Sequence, residues 1–159
     1  MLFHMSMAAE RPEQAARLIA ELWGGHAYPF PPVAEGSWIA MAGDDKGSAI
    51  EVYPLGTELH EGEGEAMVRP AAGRPVRHGP VHVAIATQLS VNEVKAIAAR
   101  AAAPAKVCAR GPFHVIELWV EGIFMIEVLT PEMQAEYLGN MHVRGWEAFL
   151  ESGGLPKAA

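Results

Sequence analysis

Hydrophobic residues alternate with polar or small residues in several short stretches, as they do in half-buried β-strands. The predicted strands are 2–8, a poorly defined one near 26–33, 37–42, 48–53, 81–87, 105–110, 113–120 and 123–129. The predicted helices, whose apolar residues recur every three or four positions, are 11–23, 91–103 and 131 to about 150. Each half of the chain therefore has the order strand, helix and three strands. The pattern predicts an α+β fold of two βαβββ modules followed by a C-terminal helix.

The same pattern sets the expected boundaries of these units. We expect a first module at 1–54, a linker at 55–79, a second module at 80–130, and a C-terminal helix and tail at 131–159. The linker is rich in Gly, Glu and Pro and is long for a loop in a compact domain. It is either a mobile lid over a site or a surface linker with a short hairpin at 66–69.

Local signals support several of these elements. Asp44-Asp45-Lys46-Gly47 is typical of a hairpin turn. Ser90 and Glu93 have the spacing of a capping box at the start of the second helix. Thr130 is placed to cap the last helix.

Two polar residues recur at matching places on apolar strands in the two halves. His4 and His82 are each second in an apolar strand that continues with small residues. Glu51 and Glu127 each lie in Ile-Glu-Val, followed within a few residues by proline. The two histidines are separated by nearly the same number of residues as the two glutamates. Four residues repeated in phase indicate a common role.

The chemistry of these residues indicates a metal site. Side chains alternate across a strand, so each His or Glu lies opposite the bulky apolar face that should pack on the helix. A carboxylate in a half-buried strand needs a partner, and the four strands contain no Lys or Arg. A divalent ion held by His4, Glu51, His82 and Glu127 would satisfy both carboxylates, with positions left for substrate oxygens.

Other residues are candidates for substrate contact. Tyr53 and Trp38 could line the cavity, with core packing as the equal alternative for both. A two-residue turn at Glu121-Gly122 would place His114 on the face of Glu127, where it could contact substrate. The alternative for His114 is a histidine at a strand end with no chemical role. The same pairing would turn Trp119 toward the helix and into the core.

Composition excludes several classes of function. The 159 residues include 19 acidic and 12 basic ones, a net charge of −7, which argues against nucleic acid and anionic membranes as partners. One cysteine, Cys108, excludes an intrachain disulfide and favours a reducing cytoplasm. The sequence shows no stretch long enough to span a membrane and no signal peptide. We expect a cytoplasmic protein with a small-molecule substrate.

At His4, Glu51, His82 and Glu127 the chain resembles the vicinal oxygen chelate superfamily, which includes glyoxalase I, extradiol dioxygenases, methylmalonyl-CoA epimerase and bleomycin-resistance proteins. The resemblance extends to about Pro131 and implies paired modules whose mixed sheets curl around a shared cavity. The His, Glu, His, Glu set is most similar to that of glyoxalase I. It implies a zinc, nickel, iron, cobalt or manganese ion and isomerase or lyase chemistry through a stabilised enolate. By this analogy Glu127 is the better candidate for the base and Glu51 the alternative.

The sequence leaves several alternatives open. The long linker, the added helix and the lack of a set of basic residues for glutathione depart from glyoxalase I. An extradiol-type dioxygenase would use two His and one Glu, and the second Glu would then fill a position needed for dioxygen or substrate. A metal-free binding or drug-sequestering protein is the third possibility. The modules can pair within one chain or across a homodimer.

Overall fold

The computed structural model describes residues 3–30, 34–60, 67–70 and 81–141, together with 144, 145, 148 and 151. In chain order its elements are β1 His4–Ala9, α1 Pro12–Trp23, β2 His26–Pro29, β3 Trp38–Met41, β4 Ala49–Pro54, β5 Thr57–His60, β6 Met67–Pro70, β7 His82–Ala86, α2 Val91–Arg100, β8 Ala105–Arg110, β9 Phe113–Val120, β10 Phe124–Leu129 and α3 Pro131–Asn140. The predicted α+β fold is confirmed, because both halves have the order βαβββ and a helix follows the second.

The first module is a four-stranded mixed sheet with the order β1-β4-β3-β2. Helix α1 carries the chain from β1 to β2 at the far edge, and β3 and β4 return by antiparallel steps to lie parallel to β1. Leu18, Ile19 and Leu22 of α1 are buried against this sheet. Gly25 permits the return, since a Cβ there would lie 2.0 Å from the carbonyl oxygen of Met41.

The second module repeats this arrangement, with the order β7-β10-β9-β8 and β7 parallel to β10. The predicted capping box is present at the start of α2. The Glu93 amide donates to Ser90 Oγ at 3.4 Å, and the Ser90 amide donates to Glu93 Oε2 at 2.8 Å. Val94, Ile97 and Ala98 form the buried side of α2.

Most buried hydrophobic side chains of both modules belong to one cluster. It contains Leu22 of α1, Val94 of α2 and Ile126 of β10, which are essentially inaccessible to solvent. Helices α1 and α2 are in contact, and the Thr87 hydroxyl donates to the carbonyl oxygen of Leu22 at 2.6 Å. Each sheet thus turns its apolar face toward a core that the two modules share.

The turn between β9 and β10 forms a second link between the modules. The Glu121 carboxylate accepts the backbone amides of Glu10 at 2.5 Å and Arg11 at 2.8 Å, just before α1 begins. Arg11 is the N-cap residue of α1 and makes no side-chain cap bond of its own. A carboxylate from the second module therefore caps the first helix.

The same turn is one residue longer than the sequence suggested. Val120 pairs with Phe124, so three residues connect the strands, and Glu121 and Gly122 have φ values of 53° and 66°. Since neighbouring side chains on a strand point to opposite faces, a shift of one residue exchanges the two faces of β9 relative to β10.

This register overturns two expectations. Trp119 pairs with Met125 and shares the face of Glu127, so its predicted position on the helix-facing side is wrong. His114 lies on the opposite face of β9 from Trp119, so its expected position beside Glu127 is also wrong. The His114 ring instead lies 3.0 Å from the Glu136 carboxylate of α3.

Within the predicted linker, β5 and β6 form an antiparallel hairpin, with Thr57 opposite Pro70 and His60 opposite Met67. The short hairpin predicted at 66–69 is therefore wrong, because Met67–Pro70 forms one strand of a longer hairpin. The lid alternative also involves 61–66 and 71–80, which lie outside the described residues, and it stays a prediction.

Helix α3 begins as predicted. Thr130 Oγ1 accepts the Met133 amide, which confirms the N-cap. The helix ends at Asn140, well before the predicted end near 150, and helical backbone recurs at 144, 145, 148 and 151. Met133 and Tyr137 attach α3 to the core. Nowhere in the described part of the chain does a helix combine the length and apolarity needed to cross a membrane.

Candidate functional site

In the first module, both predicted ligands lie on the face of the sheet that is turned away from α1. His4 pairs with Ala49, and Ser6 pairs with Glu51, so these four side chains share one face. The alternating residues, such as Ile50, point into the core. On this face Glu51 lies between Ser6 of β1 and Ile39 of β3.

In the second module, the corresponding residues have the same relation. His82 pairs with Met125, and Ala84 pairs with Glu127. In both modules, the histidine on the first strand lies opposite the residue two positions before the glutamate on the last strand. The sequence repeat is thus a repeat in space, with each His and Glu on the outer face of its sheet.

Glu51 accepts a hydrogen bond from the hydroxyl of Tyr53, two residues further along the same face. Tyr53 is 7% exposed. Burial, and then the adjacent Glu51 carboxylate, raises the pKa of the Tyr53 hydroxyl well above its usual value. The hydroxyl is therefore a hydrogen-bond donor at neutral pH, and it fixes the orientation of Glu51.

Glu127 has a charged partner that the sequence analysis missed. Arg110, at the end of β8, donates from Nε to Glu127 Oε1 at 2.8 Å and from Nη2 to Glu117 Oε2 at 2.8 Å. Hydrogen bonds to both carboxylates raise the pKa of Arg110. The Glu127 side chain is only 11% exposed, and the Arg110 guanidinium compensates its charge within the chain.

Several hydrogen-bond donors and cations surround the Glu117 carboxylate on this face. The Trp119 indole donates to it at 2.9 Å, and Lys106 Nζ lies 3.4 Å from the same oxygen, Oε1. The indole and Arg110, with smaller effects from Cys108 and Lys106, lower the pKa of Glu117 to about 2. Glu117 is therefore ionised at any pH near neutrality and anchors the cluster.

A signal for this cluster was present in the sequence. Lys106, Cys108 and Arg110 alternate along one predicted strand, so they share a face. Which face that is depends on the β8–β9 and β9–β10 registers, and the second of these was shifted by the longer turn. The four strands of the predicted ligands contain no Lys or Arg, but Arg110 comes from β8, which is separated from β10 by β9.

The sequence and the fold were compared with those of known proteins. No protein-family model matches the chain, and no curated protein sequence matches it. The fold, however, is similar to that of solved structures. Trypanothione-dependent glyoxalase I from Leishmania major superposes with a TM-score of 0.51 at 13% identity, over 96% of this chain and 97% of that one. The fosfomycin resistance protein FosX from Mesorhizobium loti gives 0.50 at 11% identity, over 80% and 89%.

The chain has the vicinal oxygen chelate fold. A hypothetical protein from S. aureus has a similar structure, with a TM-score of 0.51 at 8% identity, over 82% of this chain and 96% of that one. At sequence identities this low, the similarity shows a shared fold and nothing about function. The chemistry of this chain must be argued from its own residues.

The four predicted ligands suit a divalent ion by type, since imidazole nitrogens and carboxylate oxygens bind such ions. One chain does not bring them to one point. Among the described residues, no group of three or more His, Cys, Asp or Glu side chains could hold a metal ion. In each module the glutamate lies opposite core residues of its own strand, which are Ile50 and Val52 beside Glu51 and Ile126 and Val128 beside Glu127.

His4 and Trp38 of the first module have further neighbours. His4 lines a cleft of about 410 Å³ together with Trp23 at the end of α1, Asp44 in the turn before β4 and Ala84 on β7. Trp38 pairs with Val52 on the α1 side of its sheet, where the Arg17 guanidinium lies 5.0 Å from its ring centroid. Its position corresponds to the core-packing alternative.

Proposed function

We propose that this protein is a divalent-metal-dependent, glyoxalase-like enzyme, an isomerase or lyase that acts on a small oxygen-bearing substrate. The matched register carries the proposal, because both modules place one His and one Glu in the same relation on an outer face. A structural role would explain one such pair, but it gives no reason for the repeat. We assign His4, Glu51, His82 and Glu127 as the ligands.

The site would be completed by a second copy of the chain. Among the described residues, one chain does not bring the four predicted ligands together, so the second pair would come from another copy of the chain. Phe3, Tyr28 and Met41 expose large apolar side chains in the first module. Exposed apolar surface of this kind supports a homodimer, in which one protomer supplies His4 and Glu51 and its partner supplies the other pair.

The chain's own residues hold and orient the groups that react. Tyr53 donates to Glu51 and fixes that carboxylate, and Arg110 pairs with Oε1 of Glu127. Glu127 is the first candidate for the base that moves a proton between neighbouring substrate carbons, and Glu51 is the second. A bound divalent ion would supply Lewis-acid stabilisation of the negative charge that develops on substrate oxygen.

One observation favours a second candidate function. Arg110 already neutralises Glu127, so this carboxylate does not require a cation. A metal-free binding protein would keep the same outer faces and use Tyr53, Trp119 and Arg110 as contacts for a small molecule.

Elemental analysis of the protein and deuterium exchange into a substrate distinguish the two candidate functions. We expect protein purified without added metal to retain about one equivalent of zinc, nickel, cobalt or manganese per chain. It should catalyse deuterium exchange next to the carbonyl in small 2-hydroxycarbonyl compounds, followed by NMR. A chelator should abolish the exchange, and Glu127→Gln should reduce it by about 100-fold or more. Glu35→Gln, in an exposed loop, is the matched control.

Other outcomes point elsewhere. Retained iron with oxygen consumption indicates the dioxygenase chemistry. Metal-free protein whose stability does not respond to a chelator, and whose ligand binding survives Glu127→Gln, contradicts the proposal and supports the binding protein.

A further inference from the structure

We infer that Arg110 and a divalent cation compete for the carboxylate of Glu127, so that Arg110 determines how readily the site binds its metal. This inference rests on the proposed function, since it assumes that Glu127 is a ligand. It assigns a role to Arg110 that the ligand set alone does not contain.

The strand register creates the need for Arg110. Glu117 and Glu127 are direct partners on neighbouring antiparallel strands and share one face. Like charges placed opposite each other destabilise a sheet. Both side chains are nearly buried, with 12% and 11% exposed, so water screens them poorly. The Arg110 guanidinium lies between them and compensates both charges.

The two glutamates depend on Arg110 to different extents. Glu117 also accepts a hydrogen bond from the Trp119 indole and lies near the Lys106 ammonium group. It therefore keeps a hydrogen-bonding and a cationic partner without Arg110. Within the described residues, the ion pair of Glu127 is made with Arg110. Glu127 is therefore the carboxylate that gains most from a new cation.

The geometry of the guanidinium allows such an exchange. Arg110 uses Nε for Glu127 and Nη2 for Glu117. It can release Glu127 and still be held by Glu117, so a cation that takes Glu127 replaces one hydrogen bond. Because the guanidinium and a divalent ion repel each other, close binding of both at Glu127 is disfavoured. Each therefore weakens the other's binding.

Isothermal titration with Zn²⁺ tests this in two opposite directions. Arg110→Met removes the competitor while keeping an apolar stem, and we expect it to tighten zinc binding by about fivefold or more. Glu117→Gln removes the alternative partner of Arg110 and should weaken zinc binding. Arg100→Met removes a surface arginine that pairs with Glu21, and it should leave the affinity unchanged.

A spectroscopic readout follows Arg110 directly. In ¹⁵N-labelled protein, the Arg110 Nε–H signal, assigned by its loss in Arg110→Met, should shift on addition of zinc as its bond to Glu127 breaks. Thermal unfolding followed by circular dichroism checks that each variant is folded. Arg110→Gln replaces the Met variant if the latter is not.

The results that overturn the inference differ from those that overturn the proposed function. If the wild type binds zinc and the Arg110 variants bind it with equal or weaker affinity, the inference alone is overturned. Arg110 would then share Glu127 with the metal or position it. Absence of zinc binding in the wild type and in every variant overturns the proposed metal site, and the inference with it. Binding that appears only after Arg110 is removed supports the inference.

Discussion

At the scale of single residues, Glu117 shows how the chain keeps a nearly buried carboxylate charged. The Trp119 indole, the Arg110 guanidinium and, at a greater distance, Lys106 all favour its ionised form. The low pKa of Glu117 is thus a consequence of which side chains the register of β8, β9 and β10 brings to one face. It has a measurable effect on stability in acid.

We expect Glu117→Gln to flatten the acid branch of the stability profile. The pKa of Glu117 in the folded state, about 2, lies below the ordinary value of 4.5 for a glutamate. Glu117 therefore stabilises the folded state above pH 4.5 and loses this contribution as the pH falls toward 2. Urea unfolding at several pH values between 7 and 2 measures the free energy of unfolding. The variant should lose less stability over this window than the wild type and a Glu35→Gln control. Parallel profiles would contradict the assignment.

Single residues also show what sequence patterns can reveal about the candidate site. His4, Glu51, His82 and Glu127 were visible because identical types recur at nearly equal spacing. Arg110 and Glu117 were not, because their importance arises between strands. A contact between neighbouring strands depends on register, which residue types alone do not specify.

At the scale of elements, the β9–β10 turn has two roles. It sets the register of the second sheet, and its Glu121 carboxylate caps α1 of the other module. Glu121 does this with a φ of 53°, a conformation that favours glycine over residues with a Cβ. The capping hydrogen bonds therefore offset part of the cost of the backbone strain.

Substitution of Glu121 separates these two effects. Glu121→Ala should lower the free energy of unfolding by about 1–2 kcal/mol, because two amides at the start of α1 lose their acceptor. Glu121→Gly also loses the cap but removes the strain, so it should be less destabilising than the alanine variant. Glu13→Ala, which breaks an exposed ion pair within α1, should cost less than about 0.5 kcal/mol. Urea unfolding measures all three, and equal stability of Glu121→Ala and the wild type would exclude the capping role.

Most elements were predictable from the sequence because their periods are strong and their ends carry recognisable caps, as at Ser90 and Thr130. The turn after Val120 was not. Glu121-Gly122 suggests a two-residue hairpin turn, whereas the structure adds Ile123 to the connection. A single residue there moved Trp119 to the site and His114 away from it, although both strands were correctly located.

At the scale of the whole molecule, the two modules share one core and turn their polar faces outward. The sequence predicted the modules but not this orientation, which depends on how α1 and α2 pack. If the proposed site is made between two copies, each of its halves comes from a different polypeptide.

Mixing two inactive variants tests this arrangement. One carries His4→Ala with Glu51→Gln, and the other carries His82→Ala with Glu127→Gln. Neither should bind zinc alone, whereas a mixed dimer isolated through two different affinity tags should contain one intact site and bind about one zinc ion. The wild-type dimer, carried through the same tags, is the control. A mixed dimer without zinc binding would indicate that each site forms within a single chain.

The shared core also constrains how such a chain can evolve. The repeat suggests descent from a duplicated unit, but its copies no longer have separate interiors. A substitution that enlarges α1 where it meets α2 must be accommodated across the boundary, since the interior is closely packed. The two halves are therefore expected to have accumulated changes in a correlated way, and neither could be exchanged for the other without repacking.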